Sequence, residues 1–395
     1  MARAHTDTGS GVGSDVLVIG GGIIGLAVAW RSAQRGLTVT VLDPDPGRGA
    51  NRVAAGMLAP VTELQYGEED LMRLGMASNE RYADFAAELT AATGLSTGYR
   101  SCGTLAVALD ADDRAELREL LAFHQRLGLE SEWLTGRECR KLEPMLAPSV
   151  RGGVLVRGDH QVDGRRLGTA LLEACARAGV ALHRSRAAEL TVHQDRATGA
   201  RAEDGTVLTA GQTVLAAGSW SGELPGVPAD ARTPVRPVKG QVLRLRMTTA
   251  FGEPFLSRNL RAVVRGVHLY LVPRADGELV LGATMEEMGF DTTVTAGGVY
   301  ELLRDAHALL PGITELPLLE TGAGLRPGTP DNAPLLGPTA LPGLVAATGH
   351  HRNGVLLTPV TADAISAYLS TGSLPAEAAP FTPARFSTPA PEAAR

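Results

Sequence analysis

Arg326 is the residue whose setting in the sequence most directly suggests chemistry. It lies in GAGLRPGTPDNAPLLG, residues 322–337, between glycines and a proline, and no carboxylate is closer in the sequence than Asp331. A planar guanidinium binds a carboxylate in bidentate geometry, and a stiff Gly/Pro turn would cost it little conformational entropy. The sequence therefore predicts a turn on which Arg326 binds an anionic substrate. A salt bridge with Asp331 is the alternative, since arginines on turns often pair locally.

Tyr270 and His268 are a second pair of candidates. They lie in HLYLVPR, residues 268–274, and a strand there places both side chains on one face. A tyrosine hydroxyl can hydrogen-bond the same carboxylate as Arg326, although a strand tyrosine more often packs in a core with its hydroxyl satisfied. His268 could border the same site, whereas most strand histidines are structural or solvated.

The first sixty residues predict the elements that hold a dinucleotide. A buried strand over residues 15–19 leads into a glycine-rich turn and a helix that continues to Arg35, and a second strand over 38–42 ends at Asp43. The glycines allow a tight turn, close approach of a pyrophosphate and helix packing, while the helix N-terminus offers free N–H groups. The carboxylate suits an adenosine ribose, which argues against a 2′-phosphate and leaves NAD and FAD open. The residues of the turn are Gly20, Gly22, Ile23, Ile24 and Gly25.

Small residues crowd three later stretches, which suits a backbone that lies close against a flat ring. One follows Asp43, one ends a strand predicted over residues 213–217, and one is a glycine-marked turn before a helix near the C-terminus. The N-terminus of that helix could stabilise negative charge on the ring. The first stretch contains Ala54, Ala55, Gly56 and Met57, the second Ala217 and Gly218, and the third Gly349, Asn353 and Gly354. The helix of the third stretch is predicted to begin near Asn353 and Gly354.

Six motifs in this order resemble one enzyme family. They are VIGGGIIG, AAGML, HLYLVPR, LVLGATME, AGLRPGTPD and GHHRNGVLLTP, spread over residues 15–370. In these motifs the chain is similar to the FAD-dependent amine and amino-acid oxidases, which include D-amino-acid oxidase and sarcosine oxidase. Within that family it most resembles the glycine oxidases of thiamine biosynthesis.

The resemblance implies a role for each candidate. Arg326 and Tyr270 would hold the carboxylate of the substrate. Met57 and Met285, which as bare residues would be core filler, would form apolar walls over the flavin and favour a small side chain. His268 would border the same pocket.

Arg352 lies in HHRNG, beside the predicted flavin-facing helix. By resemblance it approaches the site, and pairing with an acid or a carbonyl is the alternative. His350 and His351 invite assignment as a base or as metal ligands. Hydride transfer from a neutral amine needs no protein base, however, and no other metal ligand is near in sequence, so no metal site is predicted. The implied flavin contacts include those given above together with Ala188, Trp220, His351 and Arg352.

The implied reaction is the oxidative deamination of glycine and other small amines, such as sarcosine and small D-amino acids. Oxygen would accept the electrons to give H₂O₂, with an imine and glyoxylate as products, and the imine could pass to a thiazole synthase. A different substrate or a quinone acceptor is the near alternative, and flavin binding without turnover is the distant one. In one subset of the family a cysteine near GLRPGTPD binds FAD covalently. Here no cysteine lies beyond Cys175, so noncovalent FAD is expected.

The patterns and the resemblance together predict an α/β fold. A Rossmann-like FAD-binding domain is assembled from separated segments, and a substrate domain adds an antiparallel sheet with helices. Apolar spacing predicts helices over residues 71–94 and 112–128, and Thr135 opens another with a capping box. The predicted segments are 14–94, 150–229 and 321–373 for the FAD-binding domain, 95–149 and 230–320 for the substrate domain, and 1–13 and 374–395 as disordered ends.

Composition disfavours several other classes of protein. The 37 basic and 43 acidic residues give a net charge of −6, which does not suit nucleic acid. The longest apolar runs are broken by glycines well short of a membrane span. Three widely spaced cysteines fit a reducing compartment. We therefore expect a cytoplasmic protein that binds neither nucleic acid nor membrane, and family analogy suggests a homo-oligomer, namely a homotetramer.

Overall fold

The structure is a computed structural model that describes residues 12–248, 254–264 and 266–386. In the described residues, two eight-stranded sheets, one two-stranded sheet and the surrounding helices make up the fold. The α-helices are α1 (Ile23–Gln34), α2 (Glu69–Thr93), α3 (Ala111–Arg126), α4 (Gly136–Leu142), α5 (Gly164–Arg177), α6 (Ala296–Leu309) and α7 (Thr358–Thr371). The strands are β1 (Val12–Ile19), β2 (Val39–Leu42), β3 (Met57–Leu58), β4 (Thr104–Ala108), β5 (Glu132–Thr135), β6 (Gly152–Val156), β7 (His160–Gln161), β8 (Ala181–His183), β9 (Ala187–His193), β10 (Arg196–Ala202), β11 (Val207–Leu215), β12 (Arg236–Arg246), β13 (Asn259–Val264), β14 (Val267–Pro273), β15 (Glu278–Gly282), β16 (Leu318–Gly328), β17 (Leu335–Pro338) and β18 (Leu344–Thr348).

The first sheet has the strand order β17–β18–β11–β1–β2–β8, and β10 joins it through β11 and carries β9. Its centre is parallel, since β1 pairs in parallel with both β2 and β11. Both faces are covered, which is why these strands are continuous apolar runs. Val16 and Val18 pack into the core with α1, α5 and α7, while Leu17 and Ile19 face a second core on the other side. The predicted strand–glycine turn–helix–strand unit is therefore confirmed.

The second sheet has the order β16–β12–β15–β14–β13–β4–β6–β5 and is antiparallel except for the β13–β4 pair. Its core includes residues of α6, such as Leu302 and Ala306. The predicted antiparallel sheet with helices is present. Strand β6, however, lies in the predicted FAD-binding segment 150–229, and β16 lies largely in segment 321–373, yet both pair within this second sheet. The division of the chain into two domains stays a prediction.

The sequence predicted two helix ends correctly and one helix start wrongly. Thr135 and Glu138 form the predicted capping box, and Gly94 ends α2 in the left-handed conformation. The predicted helix start near Asn353 was wrong: a 3₁₀ turn spans His351–Asn353, and α7 begins at Thr358, with a proline in its first turn. Proline fixes φ for the first turn of a helix, which favours this later start.

The predicted C-terminal disorder was wrong for residues 374–386. Phe381 is 3% exposed and packs into the core beside α7, and Arg385 forms a 2.7 Å ion pair with Asp331. The buried Phe381 side chain, this ion pair and a second one between Arg81 and Glu377 hold a segment whose Pro/Ala composition alone suggests no order. At the other end, β1 begins at Val12, two residues before the predicted start of order. Residues 1–11 and 387–395, also predicted to be disordered, lie outside the described residues.

Within the described ranges, none of the helices combines the length with the apolar composition needed to cross a lipid bilayer.

Candidate active site

One cavity of about 910 Å³ lies between the ends of the parallel strands of the first sheet and one face of the second sheet. This volume is near the upper end of the roughly 300–1,000 Å³ found for cofactor and small-molecule pockets. The cavity brings together most of the predicted residues from all parts of the chain. Its lining includes Gly20, Gly22, Ile23, Ile24, Asp43, Ala54, Ala55, Gly56, Met57, Ala188, Ala217, Gly218, Trp220, His268, Tyr270, Met285, Arg326, His351, Arg352 and Gly354.

The glycine turn forms one end of the cavity. Gly20 has a φ of 107°, and a Cβ at that position would lie 2.3 Å from the carbonyl oxygen of Ala216. A Cβ at Gly25 would lie 1.9 Å from the carbonyl oxygen of Gly20, so Gly25 packs the helix against the turn and does not line the cavity. Helix α1 has Gly22 as its N-cap and no side-chain cap. Its first N–H groups are therefore free for an anionic ligand.

Asp43 has a structural task in addition to the predicted one. Its Oδ2 accepts a 2.7 Å hydrogen bond from the N–H of Gly21, and its Oδ1 accepts one of 2.8 Å from the N–H of Asp45. A carboxylate offers about four acceptor sites, so two remain for a ribose. Asp43 thus holds the glycine turn in place while it faces the cavity.

The loop after β18 lines part of the cavity. His351 and Gly354 line it, whereas Gly349 and Asn353 do not. Gly349 instead allows a turn with a φ of 73°. Burial lowers the pKa of His350 to about 3 and that of His351 to about 4, with the charge of Arg352 a further cause for His351. Both imidazoles are therefore neutral near pH 7.

Arg326 lies in β16 and not on the predicted turn. Its backbone pairs with Val238 of β12, and its Nη1 donates to the carbonyl oxygens of Lys239 (3.3 Å) and Thr284 (3.2 Å). Asp331, the alternative partner, is paired with Arg385. Across the described residues, no carboxylate lies within ion-pair distance of Arg326. The geometry thus leaves the guanidinium available for an anion from outside the chain.

Two glycines make room for the side chains of Arg326 and Tyr270, which are predicted to bind the substrate carboxylate. A Cβ at Gly240 would lie 2.5 Å from both Nη atoms of Arg326, and a Cβ at Gly282 would lie 2.5 Å from the hydroxyl of Tyr270. Burial raises the pKa of Tyr270, and the charge and hydrogen bond of Arg326 only partly oppose it. The hydroxyl therefore stays protonated at neutral pH and can donate a hydrogen bond.

The remaining predicted residues lie at different depths. Met57 is half-buried in the wall, next to the small residues that precede it, whereas Met285 is 70% exposed at the edge of the cavity. His268 lines the same end and is also exposed. Trp220 is 49% exposed and stacks on Phe290 with ring centroids 5.6 Å apart.

The substrate end also contains charges that the sequence analysis missed. Arg261 of β13 lines the cavity and forms an ion pair with Glu63. Arg352 forms an ion pair with Glu68, as its alternative assignment allowed, and donates to the carbonyl oxygen of Glu63 at 3.3 Å. The available signal for Arg261 was a charged residue directly between two apolar ones, Leu260 and Ala262. Its partner is 198 positions away in the sequence, so the pair itself was not visible.

Comparison with known proteins establishes the family. The sequence model of the FAD dependent oxidoreductase family matches residues 15–368. The chain belongs to this family. FAD is accordingly its cofactor, and the cavity fits that ligand, because free N–H groups at the start of α1, a carboxylate at Asp43 and small residues such as Ala54 and Ala217 all line it. The predicted fold class, family and cofactor are thus confirmed.

Three relatives illustrate the likeness. The chain is 37% identical to the "Bifunctional protein ThiO/ThiG" of Synechocystis sp. over 95% of its own length and 54% of that protein, so it spans about half the length of such bifunctional relatives. It superposes on the crystal structure of glycine oxidase from Geobacillus kaustophilus with a TM-score of 0.87 and 31% identity, covering 96% of this chain and 100% of the other. For iminodiacetate oxidase from Chelativorans sp. BNC1 the TM-score is 0.82 and the identity 26%, with 93% and 98% covered.

Proposed function

We propose that the chain is a glycine oxidase that deaminates glycine and other small amines oxidatively. The observation that carries the proposal is Arg326, which faces the cofactor cavity beside Tyr270 without a carboxylate partner among the described residues. The reaction would be glycine plus water plus O₂ to glyoxylate, ammonia and H₂O₂. The glycine oxidase of Geobacillus kaustophilus, whose fold matches over nearly the whole chain, supports this choice.

The residues of the chain would act by binding, orienting and shielding. Arg326 would bind the substrate carboxylate with two N–H groups, and the protonated hydroxyl of Tyr270 would donate a third hydrogen bond. Met57 would supply an apolar wall that leaves space for little or no side chain. FAD, held along the rest of the cavity, supplies the acceptor for the hydride from Cα. His350 and His351 are not required as bases, because the substrate amine can lose its proton before it binds.

Several finer points belong to the same proposal. FAD would be noncovalent, because none of the three cysteines of the chain lines the cavity. The imine product would pass to a thiazole synthase, which the joint name of the Synechocystis relative supports. A cytoplasmic location would follow from the three widely spaced cysteines, which fit a reducing compartment. O₂ as acceptor and a homo-oligomeric assembly would follow from family analogy.

Oxygen uptake by the purified yellow protein tests the proposal. Glycine, sarcosine, D-alanine and D-proline would be compared, together with anaerobic bleaching of the flavin by each. Glycine should drive uptake with a kcat/KM comparable to or higher than that of the others. Bleaching without uptake would instead indicate a dehydrogenase. No bleaching by any of the four would contradict the proposal and favour a different substrate or flavin binding without turnover.

A further inference from the structure

Three arginines reach the substrate end of the cavity, and their charges are neutralised to different degrees. Arg326 contacts two backbone carbonyls and the Tyr270 hydroxyl but no carboxylate among the described residues, whereas Arg261 is paired with Glu63 and Arg352 with Glu68. Both ion pairs are largely buried: the Arg261 and Glu63 side chains are each 17% exposed. Within the described part of the chain, the charges therefore leave one of these three arginines for an incoming carboxylate.

The two ion pairs differ in what they present to a ligand. Glu63 lines the cavity together with Arg261, whereas Glu68 does not line it and also accepts a 3.1 Å hydrogen bond from Asn332. Arg261 is directly opposite Tyr270 in the β13–β14 register, and directly opposite residues share a face of the sheet. The guanidinium of Arg261 is thus near the hydroxyl that accompanies the proposed carboxylate site.

We propose that Glu63 neutralises Arg261 and thereby restricts the site to ligands with a single carboxylate. A ligand with two carboxylates would place the second one against Glu63, and like charges at close range in a partly buried site repel each other. Discrimination of this kind works by penalising the wrong ligand and requires no closer fit to the right one. The inference rests on the proposed function in one respect, namely that Arg326 binds the first carboxylate.

Loss of the Glu63 charge should free Arg261 as a second carboxylate ligand. The chain shows no other ion-pair partner for Arg261 in its described residues, and an arginine fork binds a carboxylate with charge-assisted hydrogen bonds. Glu116 of α3 also lines the cavity, but it is exposed, so solvent screens its charge. Glu63→Gln keeps the size of the side chain and one acceptor oxygen, removes the charge and replaces the second oxygen with an NH2 donor.

The test compares monocarboxylates with dicarboxylates of the same carbon number, namely propionate with malonate, butyrate with succinate and valerate with glutarate. Dissociation constants are measured on the FAD-bound enzyme from changes in flavin absorbance, which requires no turnover. In Glu63→Gln the affinity for at least one dicarboxylate, relative to its monocarboxylate, should rise about tenfold or more, which corresponds to ~1.4 kcal/mol. In Glu63→Gln/Arg261→Met the gain should disappear.

Two further variants keep the test decisive. Glu132→Gln removes a carboxylate from a surface pair with Arg157 and should leave every ratio unchanged. Arg261→Met leaves Glu63 unpaired, so propionate should bind several-fold more weakly than in the wild type. Unchanged ratios in Glu63→Gln and in Glu63→Ala, a gain that survives in the double variant, or unchanged propionate binding in Arg261→Met would each overturn the inference. Oxidation of glycine by the wild type, measured separately, decides the proposed function independently of these ratios.

Discussion

The two ends of the cavity are built in different ways. At the dinucleotide end the surface is largely backbone, formed by the glycine turn and by the uncapped N-terminus of α1, which follow each other directly in the sequence. At the substrate end the surface is side chains from β13, β14 and β16, with Glu63 and Arg352, which lie 289 positions apart. One end is therefore encoded locally, and the other depends on the completed fold.

This difference determines what a substitution does. A backbone-built site fails when a new side chain cannot be accommodated, so its failure is a failure of packing. A side-chain-built site fails when a charge gains or loses a partner, so the fold can persist while selectivity changes. Substitutions that separate packing from binding at each end test this comparison.

The largest effect is expected at Gly25. A Cβ there would lie 1.9 Å from the carbonyl oxygen of Gly20, and backbone atoms cannot move away at low cost. Gly25→Ala should therefore cost about 3 kcal/mol or more of folding free energy and yield protein with little or no FAD. Urea unfolding and the ratio of flavin to protein measure both effects.

Gly22 is the matched control for Gly25. It has a negative φ of −69°, and a Cβ there would meet no protein atom within 4 Å. Gly22→Ala should keep the fold and lose FAD affinity, because its methyl group would occupy space reserved for the pyrophosphate. Normal FAD affinity in Gly22→Ala would contradict the proposed position of the dinucleotide.

The next largest effect is expected at Arg326. Arg326→Met should raise the activation free energy that governs kcat/KM for glycine by about 2–5 kcal/mol, since it removes the charged partner of the substrate carboxylate. The flavin content should stay normal, because Arg326 lies at the other end of the cavity from the glycine turn. Steady-state kinetics and the visible spectrum provide the measurements, and the surface variant Arg157→Met provides the control. A kcat/KM equal to that of the wild type would refute the assignment of Arg326.

Local elements of the fold and the existence of the antiparallel sheet were predictable from sequence, while the place of individual residues in that sheet was not. The glycine turn and the capping box at Thr135 were visible because each is set by residues a few positions apart. The strand conformation of Arg326 was not, because cross-strand pairing with β12 prevails over the turn preference of the surrounding Gly and Pro residues. β16 is an edge strand, which can tolerate Pro327.

The site was predictable to a similar extent. Motif resemblance named the carboxylate ligands and the flavin-facing residues, most of which line one cavity. The pairing of Arg261 with Glu63 was out of reach, because a sequence does not show which opposite charges meet across 198 positions. The order at Phe381 was hidden for the same reason: its 3₁₀ turn packs against β17, which lies about 40 positions away in the sequence.

Gly240 allows a smaller, purely steric test of the substrate end. Its Cβ would lie 2.5 Å from both Nη atoms of Arg326, which is the far end of a flexible side chain and can move. Gly240→Ala should therefore keep the fold and the flavin but displace the guanidinium, which raises KM for glycine about tenfold. Gly297→Ala, where a Cβ would meet no atom within 4 Å, is the control. Loss of flavin in Gly240→Ala would show that packing also matters at this end.

The smallest effect is expected at Tyr270. Its hydroxyl would donate one hydrogen bond to a carboxylate whose charge Arg326 already offsets, so the loss should stay near that of a bond between uncharged groups. Tyr270→Phe should raise the activation free energy that governs kcat/KM for glycine by about 0.5–1.5 kcal/mol, with Tyr300→Phe as an exposed control. Because burial raises the pKa of Tyr270 above its ordinary value of 10, its proton should be retained across the neutral and mildly alkaline range. Between pH ~7 and ~9 the pH profiles of kcat/KM should therefore have the same shape in the wild type and in Tyr270→Phe. An inflection in the wild type that is lost in Tyr270→Phe would mean that the hydroxyl ionises in this range. Substrate binding would then depend on the protonation of Tyr270 in addition to the pairing of the nearby charges.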